Sequence, residues 1–452
     1  MTHTNASSVT SRRFSYRDIW KIAFPMLIGT LVEQLIGMTD TAFLGRVSEV
    51  ALGASALGGI FFISVFMLIM GFSTGTQILM GRRNGEGNHR DIGIAFYHSL
   101  GFLLLFASLL LGLTHWLAPT ILRLIISSAE VCESAWIYLE WRMWGIFFST
   151  IAVLFRAFYI ATTHTSILKW NSLVMVVSNF VFDYLLIFGH FGFPEMGIAG
   201  AAIASALSSM MSMSFYIIYT WRKIDFHRYG LDKLPTFKPR LLQKLLGVSS
   251  NLMIQSFLSL STWFLFFISI EHLGTRELAV TNVLRSISAF TFMSLISFAS
   301  TASTLTSNLL GAGDIAAVRP MHGKVIRLSA YIIVPMWLII ALFPRTVLGI
   351  FTNEQPLIEA GVLPLLVLGT SYVFQIPGTI LFHSVSGTGN TRIALWIELF
   401  ALVIYCIYVY ALIFQLRCSL SVAWGSELLY AFLCLLPSYA YFRWGKWYHK
   451  QL

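Results

Sequence analysis

From about residue 18 to residue 441 the chain alternates long apolar runs with short polar connectors. Each run is about 20 residues or longer, enough to cross a hydrocarbon core of roughly 30 Å as a helix that satisfies its own backbone groups. Barrel strands would need about half that length. Spans are predicted at 18–44, 47–80, 92–115, 135–160, 166–190, 196–221, 240–271, 276–310, 322–343, 357–385, 391–415 and 418–441. The fold class that follows is an all-α polytopic membrane protein with about 12 transmembrane helices. Composition agrees: 57% of the 452 residues are hydrophobic and 11% charged, with mean hydropathy +0.75, against about 45 to 50% apolar and about 25% charged in soluble domains. Cys132, Cys406, Cys418 and Cys434 show neither metal spacing nor a disulfide framework, and three of them fall in or beside apolar runs.

Charge orients the chain. With an even number of spans the loops form two alternating sets. One set holds 22 of the 30 basic residues, among them Arg12, Arg13, Arg82, Arg83, Arg90, Lys223 and Lys450. The other holds Arg46, Arg123, Arg142, Arg276, Arg345 and Arg417. By the positive-inside rule the first set, and with it both termini, is cytoplasmic. The net charge of +10 is then an orientation signal and an attraction to the lipid bilayer, and no nucleic acid partner is expected. The polar arm 1–17 leads into a run too long for a signal-peptide core, so no cleavable signal is read.

A charged stretch near the midpoint suggests two halves: an N-lobe at 18–221, a cytoplasmic linker at 222–239, a C-lobe at 240–441 and a tail at 442–452. Sliding the chain on itself by 226 residues tests the division. GFSTGTQILMGRRNGEGN from Gly71 then lies over SFASTASTLTSNLLGAGD from Ser297, and TTHTSILKWN from Thr162 over TGNTRIALWI from Thr388. Two segments agreeing on one ungapped offset indicate an internal duplication. Because six spans per half is even, the repeats run parallel about the membrane normal, with a central cavity between lobes.

Ionisable residues deep in a span cost about 2.5 to 3.5 kcal/mol on insertion scales and are functional candidates. Glu33 and Asp40 are seven apart in the first span, and Asn179 and Asp183 four apart in the fifth, each pair on one helix face. At the 226-residue offset Asp40 maps to Phe266, Asn179 to Tyr405 and Asp183 to Val409. An ion or proton site confined to the N-lobe is expected; the plainer reading of the acids is a buried helix-to-helix hydrogen bond. Glu33 could line the cavity or simply be hydrated. Arg285, about three turns into the eighth span, could face the cavity or balance an acid. Arg156 and His383 are expected to snorkel or hydrate near cytoplasmic ends, and Glu398 to pair with a neighbouring cation. Pro25 is a candidate hinge in the first helix. GRRNGEGN lacks the Gly-Lys-Ser/Thr ending of a phosphate loop and follows a helix, so it reads as a tight turn. No nucleotide motif is present, which favours ion coupling over ATP-driven pumping.

Four segments in order, FPMLIGTLVEQLIGMTDTAFLG from Phe24, GFSTGTQILMGRRNGEGN, SNFVFDYLLIFG from Ser178 and GIAGAAIASALS from Gly197, resemble the multidrug and toxic compound extrusion (MATE) family. The resemblance covers nearly the whole chain. It implies a secondary antiporter, not an enzyme, that exports small amphipathic, cationic organic compounds in exchange for H⁺ or Na⁺ by alternating access. The family's N-lobe ion site carries over to Asp40, Asn179, Asp183 and Ser205; for Na⁺ the ligands would include Asp40, Asn179 and Asp183. No cofactor other than the coupling ion is implied. The resemblance also implies a monomer in the bacterial cytoplasmic membrane. NorM-type relatives carry acids in the seventh and tenth spans, where this chain has Gln255 and Gln375 as candidate cavity residues. That departure is similar to the branch of the DNA-damage-inducible protein F transporters. Relatives often have Gln where Glu33 stands, so the extra acid adds a titratable group. The alternative is a flippase for lipid-linked or other amphipathic metabolites, for which several cavity cations would be expected to hold pyrophosphate.

Overall fold

The structure is a computed structural model and describes residues 14–449. Arg12, Arg13, Lys450 and most of the 1–17 arm lie outside the described residues. Fourteen α-helices are described: α1 Tyr16–Val47, α2 Glu49–Gly85, α3 His89–Ile125, α4 Ala129–Trp144, α5 Ile146–Ala161, α6 Ser166–Phe188, α7 Gly197–Lys223, α8 Pro239–Glu271, α9 Thr275–Gly311, α10 Ile315–Leu342, α11 Pro344–Gly349, α12 Gln355–Gly387, α13 Thr391–Val409 and α14 Leu420–Trp444. Eleven helical segments are each long and apolar enough to cross a membrane, and the bent pair α4 and α5 makes a twelfth span.

Local chemistry sets the boundaries. Ser15 caps α1, accepting from the Asp18 N–H while the Asp18 carboxylate accepts from the Ser15 N–H, a reciprocal capping box. Ser48 caps α2 through the Ala51 N–H at 2.9 Å. The GRRNGEGN tract is a tight turn between α2 and α3, with Gly87 at φ +73. The fourth span, one helix over 135–160 by its sequence, breaks at Gly145 with a 50° bend. A Cβ at Gly145 would stand 2.8 Å from the Ala206 Cβ, so the missing side chain lets α7 pack against the break. The eleventh span also departs from regular helix: Tyr410–Gln415 is a π-helical turn.

Pro25 lies inside α1 without interrupting it. Lacking an N–H, proline leaves the carbonyl four residues back without its helical partner. Thr165 at the head of α6 compensates, its hydroxyl donating to the Ile22 carbonyl at 2.9 Å and approaching the Lys21 carbonyl at 3.4 Å.

Helices α1–α7 pack together, as do α8–α14, and the two groups meet mainly through α1, α2, α8 and α9. The side-chain hydrogen bonds between them gather in the half nearest the basic loops. Gln77 donates to Thr304 at 2.8 Å, Asn84 to Asn308 at 2.6 Å and Ser307 to the Ile78 carbonyl at 2.6 Å. Thr30 and Ser297 share a bond of 3.0 Å. Glycines bring the backbones together here. A Cβ on Gly85 would fall 1.9 Å from the Asn308 carbonyl oxygen, and one on Gly311 would fall 2.1 Å from that of Arg82. At the 226-residue offset Gly85 corresponds to Gly311 and Arg82 to Asn308, so the two contacts are one contact repeated by pseudo-symmetry. The molecule is closed at its basic end.

The connector between the lobes is docked rather than free. Tyr97 of α3 donates to the Leu231 carbonyl at 2.7 Å, and His98 accepts from the Lys238 N–H at 2.7 Å.

Candidate functional site

Helices α1 and α6 lie side by side and carry their polar residues as two rungs. Glu33 and Asp40 are seven apart on α1, and Ser172 and Asn179 seven apart on α6, so both pairs meet, separated by about 10 Å of helix rise.

The outer rung is the acid cluster. With its amide nitrogen turned to the acids, Asn179 donates to Asp183 Oδ2 and to Asp40 Oδ1, each at 3.2 Å. Ser205 of α7 approaches Asp40 Oδ2 at 3.5 Å, a long and weak contact. The two carboxyls lie within hydrogen-bonding reach of one another. Asn179 and Asp183 are fully buried, Asp40 is half-buried, and Asp183 Oδ1 has no partner. Two acids side by side with an orphaned oxygen form a place for a proton or a small cation: one bound charge offsets their repulsion and satisfies the oxygen.

Sequence reasoning missed the cation beside them. Arg142, counted with the loops of the less basic side although it falls within the predicted span 135–160, lies in the last turn of α4, close enough to act on both Asp40 and Asp183. Its guanidinium sits 4.2 Å from the centre of the Phe62 ring. Its presence among the few basic residues within a span was the available signal.

The inner rung is a separate network. Ser172 Oγ donates to Glu33 Oε1 at 2.8 Å, and Arg156 Nη1 stands 3.1 Å from Glu33 Oε2. Arg156 therefore does not snorkel; the half-buried Glu33 of α1 holds it. Arg156 also lines a cavity of about 190 Å³ between the lobes, with Met26, Gln77, Gln255, Ser297 and His383. Of the other candidates, Gln255 is at the cavity, with its Oε1 unpaired. Gln375 is buried but does not line that cavity. Arg285 is exposed, 5.8 Å from the Phe267 ring, and pairs with no acid among the described residues. Glu398 is fully buried and meets hydroxyls, not the expected cation. Glu427 of α14, which the sequence reading passed over, lies beside Tyr405.

The family model MatE matches the chain twice, at residues 25–185 and 252–411, with starts 227 and ends 226 residues apart. This chain belongs to the MatE family of transporters. It is 27% identical to a probable multidrug resistance protein NorM of Thermotoga maritima over 83% of this chain and 80% of the relative. A NorM protein of Rhizobium meliloti is 26% identical over 81% and 79%. Among solved structures, an outward-facing multidrug resistance MATE transporter superposes with TM-score 0.86 at 18% identity over 95% of both chains. A transporter from Pyrococcus furiosus, described as having a binding pocket of reverse polarity, superposes with TM-score 0.86 at 17% identity over 98% of both chains. At these identities the structural likeness bears on the fold, which is that of MATE transporters. This MatE chain is thus a multi-pass membrane transporter of the multidrug efflux family.

Proposed function

We propose that this protein is a secondary antiporter that exports small amphipathic organic cations in exchange for H⁺, with Asp40 and Asp183 as the coupling site. The observation that carries the reading is the acid pair bridged by Asn179, with one oxygen unpartnered, in a helix bundle sealed at its basic end. With the basic loops taken as cytoplasmic, the sealed end faces the cytoplasm and the conformation is outward-facing. A proton arriving from outside neutralises the pair; the helices α1, α6 and α7 then close around it, and substrate affinity falls. Reorientation exposes the site to the cytoplasm, where the proton leaves and a new substrate enters. Such coupling is differential binding of two ligands to two states, typically worth about 1 to 3 kcal/mol. Na⁺ would use the same oxygens of Asp40, Asn179, Asp183 and Ser205. The absence of carboxylates at Gln255 and Gln375 supports placement near the DNA-damage-inducible protein F branch, and a monomer in the bacterial cytoplasmic membrane completes the reading.

Among the described residues, the one arginine or lysine lining the cavity between the lobes is Arg156, already tied to Glu33. A pyrophosphate headgroup finds no free cation there, which weighs against a lipid-linked flippase. The test is efflux of a fluorescent lipophilic cation from proteoliposomes under a pH gradient or a Na⁺ gradient imposed separately. The pH gradient is expected to drive export in the native protein and to lose its effect in Asp40→Asn. Export by Asp40→Asn at the native rate would remove the acid pair from the mechanism, and drive by Na⁺ alone would replace the proton.

A further inference from the structure

The ladder between α1 and α6 recurs between α8 and α13 with its ends exchanged. At the 226-residue offset Glu33 corresponds to Ser259 and Ser172 to Glu398. In the N-lobe Ser172 donates to Glu33; in the C-lobe Ser259 donates to Glu398. The outer rung is repeated in position but not in chemistry: Asp40 and Asn179 become Phe266 and Tyr405, whose ring centroids are 6.4 Å apart.

The counter-charge is not repeated. Arg156, which neutralises Glu33, corresponds to Phe382. Glu398 has instead the Tyr430 hydroxyl, 2.9 Å from each carboxyl oxygen, and its own exposure is 0%. No ion pair among the described residues reaches it. The basic residues of the surrounding helices, Arg240 and Lys244 on α8, Arg392 on α13 and Arg443 on α14, are exposed near helix ends, and α12 has none. The titratable groups nearest Glu398 are Tyr430 and Cys434 on α14. Beyond them, Tyr405 on α13 and Tyr372 on α12 stand near Glu427 of α14. His383 of α12 is bonded to the Thr379 carbonyl at 2.9 Å. Two neutral hydroxyls do not repay the desolvation of a carboxylate, and an acid so placed sheds its charge by taking up a proton.

We propose that Glu398 is a second proton-carrying site, in the C-lobe, loaded in the conformation sealed at the basic end. Ser259 Oγ also contacts the Gln255 carbonyl at 3.0 Å, and Gln255 lines the cavity between the lobes. One turn of α8 thus separates the acid from cavity water, and movement of α8 during reorientation opens that path. The acid gains a proton from outward-facing water, passing from −1 to neutral, and returns it to cytoplasmic water. This carrier role rests on the H⁺-coupled reading above; the loaded state of Glu398 does not.

Two readouts separate them. The first is infrared difference spectroscopy of the purified native protein against Glu398→Gln, which keeps the shape and hydrogen-bonding capacity of the neutral acid. The native protein is expected to show a protonated-carboxyl C=O band at neutral pH that the variant lacks; identical spectra overturn the proposal. The second is proton release on adding tetraphenylphosphonium to detergent-solubilised protein in weak buffer. Glu398→Gln is expected to release about one proton fewer per molecule than the native protein. Equal release by both marks Glu398 as a neutral structural acid and overturns the carrier role while leaving H⁺ coupling intact. No release even from the native protein removes both. If Glu398→Gln does not accumulate, Ser259→Ala keeps the acid: a shift of the band supports a protonated partner of Ser259, and an unmoved spectrum counts against it.

Discussion

At the scale of single residues, the polar groups of this membrane protein are graded by how completely they are paired. Among the described residues, Asn179 is the only donor bridging both carboxyls of the outer rung. Removing a donor from a buried acceptor leaves it unsatisfied at a cost of about 1 to 3 kcal/mol. Asn179→Leu is therefore expected to lower pH-driven efflux about tenfold or more, with protein yield retained, as measured in proteoliposomes. Ser205 approaches at 3.5 Å only. Ser205→Ala is expected to stay within about twofold of native transport, and a larger loss would assign Ser205 a closer role in the ion-loaded state. The acids themselves were legible from depth and spacing: four and seven residues place side chains on one face. Their partners were not. Arg142 reaches the acids from a different helix, so spacing along α1 or α6 carries no trace of it. Glu33 and Asp40 share a face yet end in different networks, because Arg156 meets one and Asn179 the other.

At the scale of elements, length and hydropathy located the helices, while close approach decided their irregularities. The break at Gly145 and the contacts at Gly85 and Gly311 are sites where another backbone occupies the space of a Cβ. A side chain at Gly85 would push α9 away and oppose closure of the basic end. Gly85→Val is expected to trap the transporter open there, increasing labelling of a cysteine placed at Ser307, a buried residue bonded to the Ile78 carbonyl. The labelling is read with an impermeant maleimide applied from the basic side. Gly101→Ala, with no atom within 4 Å of the added Cβ, should leave labelling and transport unchanged. Unchanged labelling in both would show that the glycine contacts do not hold the gate. Pro25 illustrates the same dependence: the sequence marks the missing N–H, but only the packing of Thr165 on α1 shows how the freed turn is held.

At the scale of the whole molecule, twelve spans and the uneven distribution of basic residues dictate a topology. A cysteine replacing Leu234, in the connector between α7 and α8, should react with impermeant reagent only from the cytoplasm, and one replacing Leu124, at the far end of α3, only from outside. Both positions are more than four-fifths exposed, so access is set by side alone, and reversed labelling would invert the orientation. The sequence by itself determined the helical class, the span count, the duplication and the depth of the acids, because run length, charge and periodicity are local or additive along the chain. Tertiary structure decided which acids are paired, which end is sealed and where a buried acid has no counter-charge. Those depend on which helix faces which: the same repeated rung holds Glu33 against Arg156 in one lobe and leaves Glu398 among hydroxyls in the other.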